Sequence, residues 1–408
     1  MTSVLPSPQG LTGTSNLPIW DELPAVQQPQ WHHHPAYRRA RQTLSAAKPL
    51  VTRSELTTLR GSLAEVAEGR AFVLQLGDCA ESFYECTPWH TSAKVEVLDR
   101  LSDHMAARGG RPVVRVGRFG GQFAKPRSQP TERIGDVEMP VFRGHLVNSE
   151  VPTRAARQHD PRRMLWAYEA SAKVLSWVRT HRERNEPSSE GLHPGPWSSH
   201  EALVVDYEGA LVRGGSDAGS RFLGSTHLPW IGERTRQRDH AQVGLLASVD
   251  NPVGCKVGPT ATAQDVVRLC ELLDPDRTPG RLLLIARMGR DTVDEALPPL
   301  VTAVRDAGHP VVWLSDPMHG NTVKASIGVK TRHLTDVIAE AVAFRRVLER
   351  HGQPPGGMHL EVAAADVTEC VGCTVDEEDK LATRYETLCD PRLNPEQAQA
   401  LIDAWLRD

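Results

Sequence analysis

What most constrains this chain is a series of short apolar runs, each ending in charged, polar or glycine residues and separated by segments of helical length. Seven are legible: AFVLQLGDC (Ala71–Cys79), PVVRVGRFG (Pro112–Gly120), HLPWIGERT (His227–Thr235), NPVGCKVGP (Asn251–Pro259), RLLLIARMG (Arg281–Gly289), PVVWLSDPMHG (Pro310–Gly320) and GGMHLEVA (Gly356–Ala363). An eighth, around EALVVDYEG (Glu201–Gly209), fits a strand or a helix equally well. Between them, segments such as ATAQDVVRLCELLD repeat apolar residues every three and four positions, as the crossover helices of βαβ units do. Strand, helix, strand with right-handed crossovers closes into a (β/α)8 TIM barrel, so the predicted class is α/β. An open doubly wound sheet is the alternative, but no run leads into a GxGxxG turn. The 408 residues divide into an arm over 1–50, rich in Pro, Gln and aromatics, and one barrel over 51–408. The polar stretch from Arg179 to His200 reads as a surface loop.

Charge and composition remove several classes of function. With 47 Lys and Arg against 51 Asp and Glu, the formal net charge of -4 gives no basis for a nucleic-acid partner. No apolar run approaches the roughly 20 residues of a membrane helix. The first residues lack a basic start and an apolar core, so the expected location is the cytoplasm. Seven cysteines, an odd number spread over a long chain, do not form a secreted disulfide framework. Cys370 and Cys373 form a C-x-x-C, but no second pair completes a zinc cage. His32, His33 and His34 read as an exposed polar patch.

In a parallel barrel the C-terminal strand ends carry the chemistry. Here they hold Asp78 and Cys79, Arg118, Glu233 and Arg234, Lys256, Arg287, Asp316 and His319, and Glu361. Arg118, Arg234, Lys256 and Arg287, with Lys125 and Arg127 in the loop GGQFAKPRS, form a set of cations whose crowding is unfavourable unless an anion neutralises them. Each could pair with a local acid such as Asp78, Glu81, Glu132 or Glu233, but that explanation is poor for a whole set at successive strand ends. Arg forks and Lys point charges suit a ligand with several phosphate or carboxylate groups. Cys79, His319, Glu361 and Asp390 supply thiolate, imidazole and carboxylate, a mixed donor set suited to manganese, cobalt, iron or zinc; taken alone, a core Cys and a hydrogen-bonded His explain these residues as readily.

The runs LQLGDCAESF, RVGRFGGQFAKPRS, WIGERTRQ, NPVGCKVGP, ARMG, SDPMHGNT, KTRH, HLEVAAADVTECVG and RYETLCDPRLNPEQ, in order from about Leu74 to the C-terminus, resemble the class II, plant-like 3-deoxy-D-arabino-heptulosonate 7-phosphate synthases. That resemblance implies a (β/α)8 barrel requiring a divalent metal, Mn2+ first with Co2+, Fe2+ or Zn2+ as alternatives. It implies condensation of phosphoenolpyruvate with erythrose 4-phosphate, the first step towards the shikimate pathway. The family's metal ligands fall on Cys79, His319, Glu361 and Asp390. Its phosphoenolpyruvate site falls on Arg118, Glu233, Arg234, Lys256 and Arg287, and Lys125, Arg127, Ser128, Lys330 and Arg332 become candidates for the aldose phosphate. Lys125 and Glu233 are the candidates for proton transfer, with Lys256 the remaining catalytic candidate. The resemblance also implies that the arm packs at a subunit interface of a homodimer or higher oligomer. Longer members carry a helical insertion between the second and third strands that serves aromatic feedback. Here that region shrinks to the Arg179–His200 stretch, so weak inhibition by Phe, Tyr and Trp and a role in secondary metabolism are expected. An aminosugar phosphate acceptor and a catalytically silent barrel partner are the competing readings.

Overall fold

The computed structural model describes residues 20–184, 192–214 and 220–407. Eight parallel strands close into a barrel: β1 (Phe72–Gly77), β2 (Val113–Arg118), β3 (Trp197–Glu201), β4 (Leu228–Ile231), β5 (Val253–Val257), β6 (Leu282–Ala286), β7 (Val312–Ser315) and β8 (Pro355–Glu361). Each strand pairs with its neighbours in sequence, and β1 joins β8 to close the ring. Two helices, α1 (Tyr37–Ala46) and α2 (Arg53–Ala67), precede the barrel. One helix then follows each strand: α3 (Pro88–Gly109), α4 (Arg163–Arg184), α5 (Val205–Ala210), α6 (Ala241–Ala247), α7 (Ala263–Leu273), α8 (Val293–Asp306), α9 (Leu334–Arg350) and α10 (Pro395–Leu406).

The helices form where the apolar period demands. In α7 the buried residues are Val266, Leu269, Cys270 and Leu273, one stripe at three- and four-residue spacing, and the Thr262 side chain caps the start by accepting from the Asp265 N–H. The strands bury both faces. Val73, Val116, Trp230, Ile285 and Leu314 fill the barrel interior, while Phe72, Leu74 and Leu76 pack outward against α3 and α10.

Helix α2 closes the N-terminal end of the barrel. A capping box starts it: the Thr52 hydroxyl accepts from the Glu55 N–H and the Glu55 carboxylate accepts from the Thr52 N–H. Its Leu59, Leu63 and Val66 then join the interior cluster. The described part of the N-terminal segment also packs on its own chain. Helix α1 lies against α4 and α5, and Trp31, 1% exposed, donates through Nε1 to Asp206 at 2.9 Å.

Two expectations need correction. The stretch from Arg179 to His200 is not a surface loop: α4 continues to Arg184 and Trp197–His200 belong to β3, with 185–191 outside the described residues. The eighth strand is therefore centred before Glu201, and most of EALVVDYEG is the turn and helix α5. The cause is polarity. WSSHE buries Ser198, Ser199 and His200 with internal hydrogen-bond partners: Ser199 bonds the Gly117 carbonyl at 3.1 Å, and His200 bonds Glu208 through Nε2 at 2.8 Å. A strand stabilised this way has no apolar signature.

Because α2 plugs the barrel through side chains with no solvent contact, Leu63→Ala should cost about 2–5 kcal/mol. Urea unfolding followed by circular dichroism measures this, and an unchanged midpoint would remove α2 from the core.

Candidate active site

Register brings the first groups together. Gly77 of β1 is level with Arg118 of β2 on one side and with Glu361 of β8 on the other. At Gly77 φ is +149°, and a Cβ there would meet the Arg118 carbonyl at 2.7 Å, so only glycine lets the chain turn here towards Cys79. Glu361 is fully buried. Its Oε1 lies 3.2 Å from Arg118 Nη2, 3.0 Å from Lys125 Nζ and 3.1 Å from His319 Nε2, and its Oε2 lies 2.9 Å from Arg332 Nη2. Burial alone would raise this carboxyl, but the charges of His319, Lys125 and Arg332 hold it well below the ordinary range.

Asp390, on the loop between β8 and α10, completes the cluster. Lys125 Nζ reaches its Oδ2 at 3.0 Å and Lys330 Nζ its Oδ1 at 2.8 Å. Against burial, which favours the neutral amine, Glu361 and Asp390 keep Lys125 charged. Cys79 sits beside them, its sulfur 3.3 Å from the Asp390 backbone N–H and 3.2 Å from Thr387 Oγ1. Burial would raise this thiol, but a hydrogen bond from Cys389 and the Lys125 charge bring it down to about 7, poised for a thiolate.

His319, on the loop after β7, is oriented by Asp316. Nδ1 lies 2.8 and 3.0 Å from the two Asp316 oxygens and donates to them, so Nε2 is the ring nitrogen that faces Glu361. Nε2 and the Glu361 oxygen are 3.1 Å apart, so the space between them suits a shared proton or a bound cation. Ligand atoms of His319, Glu361 and Asp390 all lie within 4.8 Å of one another; Cys79 is outside this trio, its sulfur against the Asp390 backbone N–H. This donor set fits a divalent transition metal.

A cavity of about 270 Å³ opens beside this cluster. Arg118, Lys125, Arg234, Lys256, Arg287 and Lys330 line it, faced by Glu201, Glu233 and Asp390. Trp230 supplies a flat wall, with the Arg118 guanidinium 5.3 Å and the Lys256 ammonium 6.0 Å from its ring centroid. Lys256 also pairs with Asp316 at 2.8 Å. Among the described residues neither Arg234 nor Arg287 has a carboxylate partner; Arg234 donates to Ser128 Oγ at 3.0 Å and Arg287 to the His319 carbonyl at 2.8 Å. The acids expected to neutralise the set are mostly engaged elsewhere: Asp78 pairs with Lys94 and Arg392, Glu81 accepts three backbone N–H groups, and Glu233 pairs with Arg236 at 2.9 Å, while Arg118, Lys125 and Lys256 pair instead with Glu361, Asp390 and Asp316. Glu132 comes only within 3.8 Å of Arg127.

Most sequence-predicted residues therefore meet at one rim. Arg127 and Ser128 stand at its outer edge, and Arg332 is the exception. It lies fully buried behind Glu361, bonded to Thr322 Oγ1 at 3.0 Å and to the Pro391 carbonyl, without a face on the cavity. The C-x-x-C does no visible chemistry: Cys370 is buried with its thiol pushed up to about 12 by burial, and Cys373 is exposed and unbonded.

A closed parallel barrel whose C-terminal mouth joins a His, Glu and Asp trio to a cavity rich in cations defines a (β/α)8 protein with a cationic pocket. Residues 15–193 and 188–404 match the Class-II DAHP synthetase family, and the chain belongs to that family. A probable phospho-2-dehydro-3-deoxyheptonate aldolase from Pseudomonas fluorescens is 48% identical over 93% of this chain and 94% of its own length. The Streptomyces coelicolor phospho-2-dehydro-3-deoxyheptonate aldolase is 41% identical over 93% and 94%, and that of Mycolicibacterium smegmatis 39% over 96% and 97%. Among solved structures, a truncated 3-deoxy-D-arabino-heptulosonate 7-phosphate synthase from Thermotoga maritima covers 82% of this chain and 84% of that chain at 15% identity and TM-score 0.39, too distant to bear on the site.

Three acids at the site escaped the sequence reading, in whole or in part. Glu201 ends the strand that was misplaced; it reaches the cavity because a Cβ on Gly232 would sit 2.1 Å from its Oε1. Asp316 was legible only as a strand-end charge, although its place three residues before His319 is the signal for their contact. Glu340 lies on the apolar face of α9, between Val337 and Ala341, an acid where a hydrophobic residue is expected. It accepts from the Met288 N–H at 2.7 Å and from Asn321 Nδ2 at 2.6 Å, so it ties the loop of Arg287 to the loop of His319. Burial pushes this carboxyl up to about 7, against the Gly289 and Met288 N–H groups that favour ionisation. The folded chain thus keeps a proton that the unfolded chain releases near 4.5. This contribution to stability is complete below that value and is lost as pH rises through about 7. In urea titrations the midpoint should therefore fall more between about pH 5 and about pH 7.5 in the native chain than in Glu340→Gln. Parallel pH profiles would show that Glu340 titrates as in the unfolded chain.

Proposed function

We propose that this chain condenses phosphoenolpyruvate with erythrose 4-phosphate and water to give 3-deoxy-D-arabino-heptulosonate 7-phosphate and phosphate, using a divalent metal ion held by Cys79, His319, Glu361 and Asp390. The observation that carries this reading is the junction of the His319, Glu361 and Asp390 trio with the cationic cavity, in a chain of the class-II family. When bound, such an ion, manganese in the first instance, polarises the aldehyde carbonyl of the sugar phosphate.

The protein's own groups do the rest. Arg118, Arg234, Lys256 and Arg287 hold the phosphate and carboxylate of phosphoenolpyruvate against Trp230, with the methylene carbon turned to the aldehyde. Arg234 and Arg287 suit this because neither has a carboxylate partner to give up. Lys125, Arg127, Ser128 and Lys330 receive the second phosphate. Fixing both substrates side by side makes carbon–carbon bond formation effectively unimolecular. The cations then stabilise charge as water adds to the former enol carbon and phosphate leaves. Lys125, kept charged between Glu361 and Asp390, suits proton donation to the developing alkoxide, with Glu233 facing it across the cavity. Arg332 holds Glu361 rather than a substrate phosphate.

Phosphate release from the two substrates, with metal analysis of the purified protein, tests this directly. Loss of a metal ligand's outer partner typically costs about 10–100-fold, so Cys79→Ala and His319→Ala should each lose at least ~100-fold while circular dichroism is unchanged. Full activity in either variant would refute the ligand assignment. We further propose a cytoplasmic homo-oligomer that serves secondary metabolism without aromatic feedback. In support, the alignment with the Mycolicibacterium relative runs over 452 positions, more than the 408 of this chain, so that relative carries stretches without a counterpart here. Steady-state assays with added Phe, Tyr or Trp should show little inhibition, and strong inhibition by any one of them would contradict this.

A further inference from the structure

The N-terminal segment reaches the catalytic mouth through a run of amides, AVQQPQW (Ala25–Trp31). It is anchored on both sides. The Val26 carbonyl accepts from Gln242 Nε2 at 3.0 Å, the Gln28 amide bonds the Leu203 carbonyl at 2.8 Å and the Val205 N–H at 2.9 Å, and the Gln30 N–H donates to His159 Nδ1 at 2.9 Å. Between these anchors the backbone of Gln27 is left-handed, with φ of +62°. Residues with side chains rarely occupy this region, and they keep it where the surroundings enforce it, often at functional sites.

That conformation delivers one side chain to one place. Gln27 Oε1 accepts from the backbone N–H of Arg127 at 3.0 Å and from Arg143 Nη2 at 2.7 Å. Arg143 in turn accepts through its carbonyl from the Lys125 N–H at 2.9 Å. Gln27 and Arg143 thus grip both ends of the Lys125–Arg127 stretch, which leads into Ser128. Among the described residues Arg143 has no carboxylate partner, and Arg127 has only Glu132 at 3.8 Å. An uncharged amide therefore holds these cations in place without cancelling their charge, as a site meant to receive an anion requires.

We infer that Gln27 is a positioning residue for the second substrate, and that the N-terminal segment is thereby a working wall of the aldose-phosphate end of the site. This rests on the proposed role of the Lys125–Ser128 loop. Gln27 touches no substrate; it acts through the loop it holds.

The test is Gln27→Gly, which keeps the left-handed backbone free of strain and removes only the acceptor, set beside Gln28→Ala, which loosens the same segment without touching the loop. In steady-state assays of the full-length protein, Gln27→Gly should raise KM for erythrose 4-phosphate about 5- to 10-fold, the size of one lost ordinary hydrogen bond, with kcat and KM for phosphoenolpyruvate within about twofold. Gln28→Ala should lower the thermal midpoint without that selective rise. An unchanged KM in Gln27→Gly, an equal loss for both substrates, or the same selective rise in Gln28→Ala would each overturn the inference. Phosphate release by neither the native chain nor the variants would instead overturn the underlying reading, and this inference with it.

Discussion

A fully buried carboxylate, Glu361, organises this molecule. Two guanidinium groups, one ammonium and one imidazole converge on it from the end of β2, the loop that follows it and the connection between β7 and α9. Burying so many charges is a weak source of stability, because their desolvation offsets most of the attraction. The arrangement persists because the surrounding scaffold holds it, and the benefit appears in chemistry. Neighbouring charges keep Glu361 ionised at the point where His319 presents Nε2 and Asp390 a second carboxylate.

The scaffold does this by separating packing from chemistry along one axis. At the N-terminal end of the barrel the interior is apolar and α2 plugs it with Leu59, Leu63 and Val66. Towards the C-terminal end the inward positions turn polar, from the Gln75 and Ser199 pair to His359 and Arg118 stacked near Trp230, and then to the open mouth. Connections that carry functional groups are themselves stitched together, Arg287 and His319 by Glu340, and the Lys125 loop by Gln27. Rigid support outside the first contacts keeps such a site at working geometry.

Legibility in the sequence followed how each element is stabilised. Strands held by apolar burial, such as LLLIA at 282–286, announce themselves, and so do charges placed just after them. Strand β3 was hidden because its burial is hydrogen-bonded: Ser198, Ser199 and His200 look like loop residues until partners from β1, β2, the residue before β4 and α5 reach them. Arg332 entered as an aldose-phosphate candidate through the family resemblance, which does not tell a supporting cation from a receptive one. Its fork points to Glu361 and Pro391, and only packing makes that distinction.

The order of apolar runs and helical spacers, with a charge or a polar group after nearly every run, was enough to specify a parallel barrel and the end of it that carries chemistry, since these depend on local period and on which face a strand end must occupy. Which cations remain unpaired, which side of His319 is free, how Gln27 enters the site and that Glu340 joins two loops were decided only by the tertiary structure. Charges and hydrogen-bond partners separated by up to hundreds of residues become neighbours only when the ring closes, and their chemistry is a property of those distances rather than of any local stretch of chain.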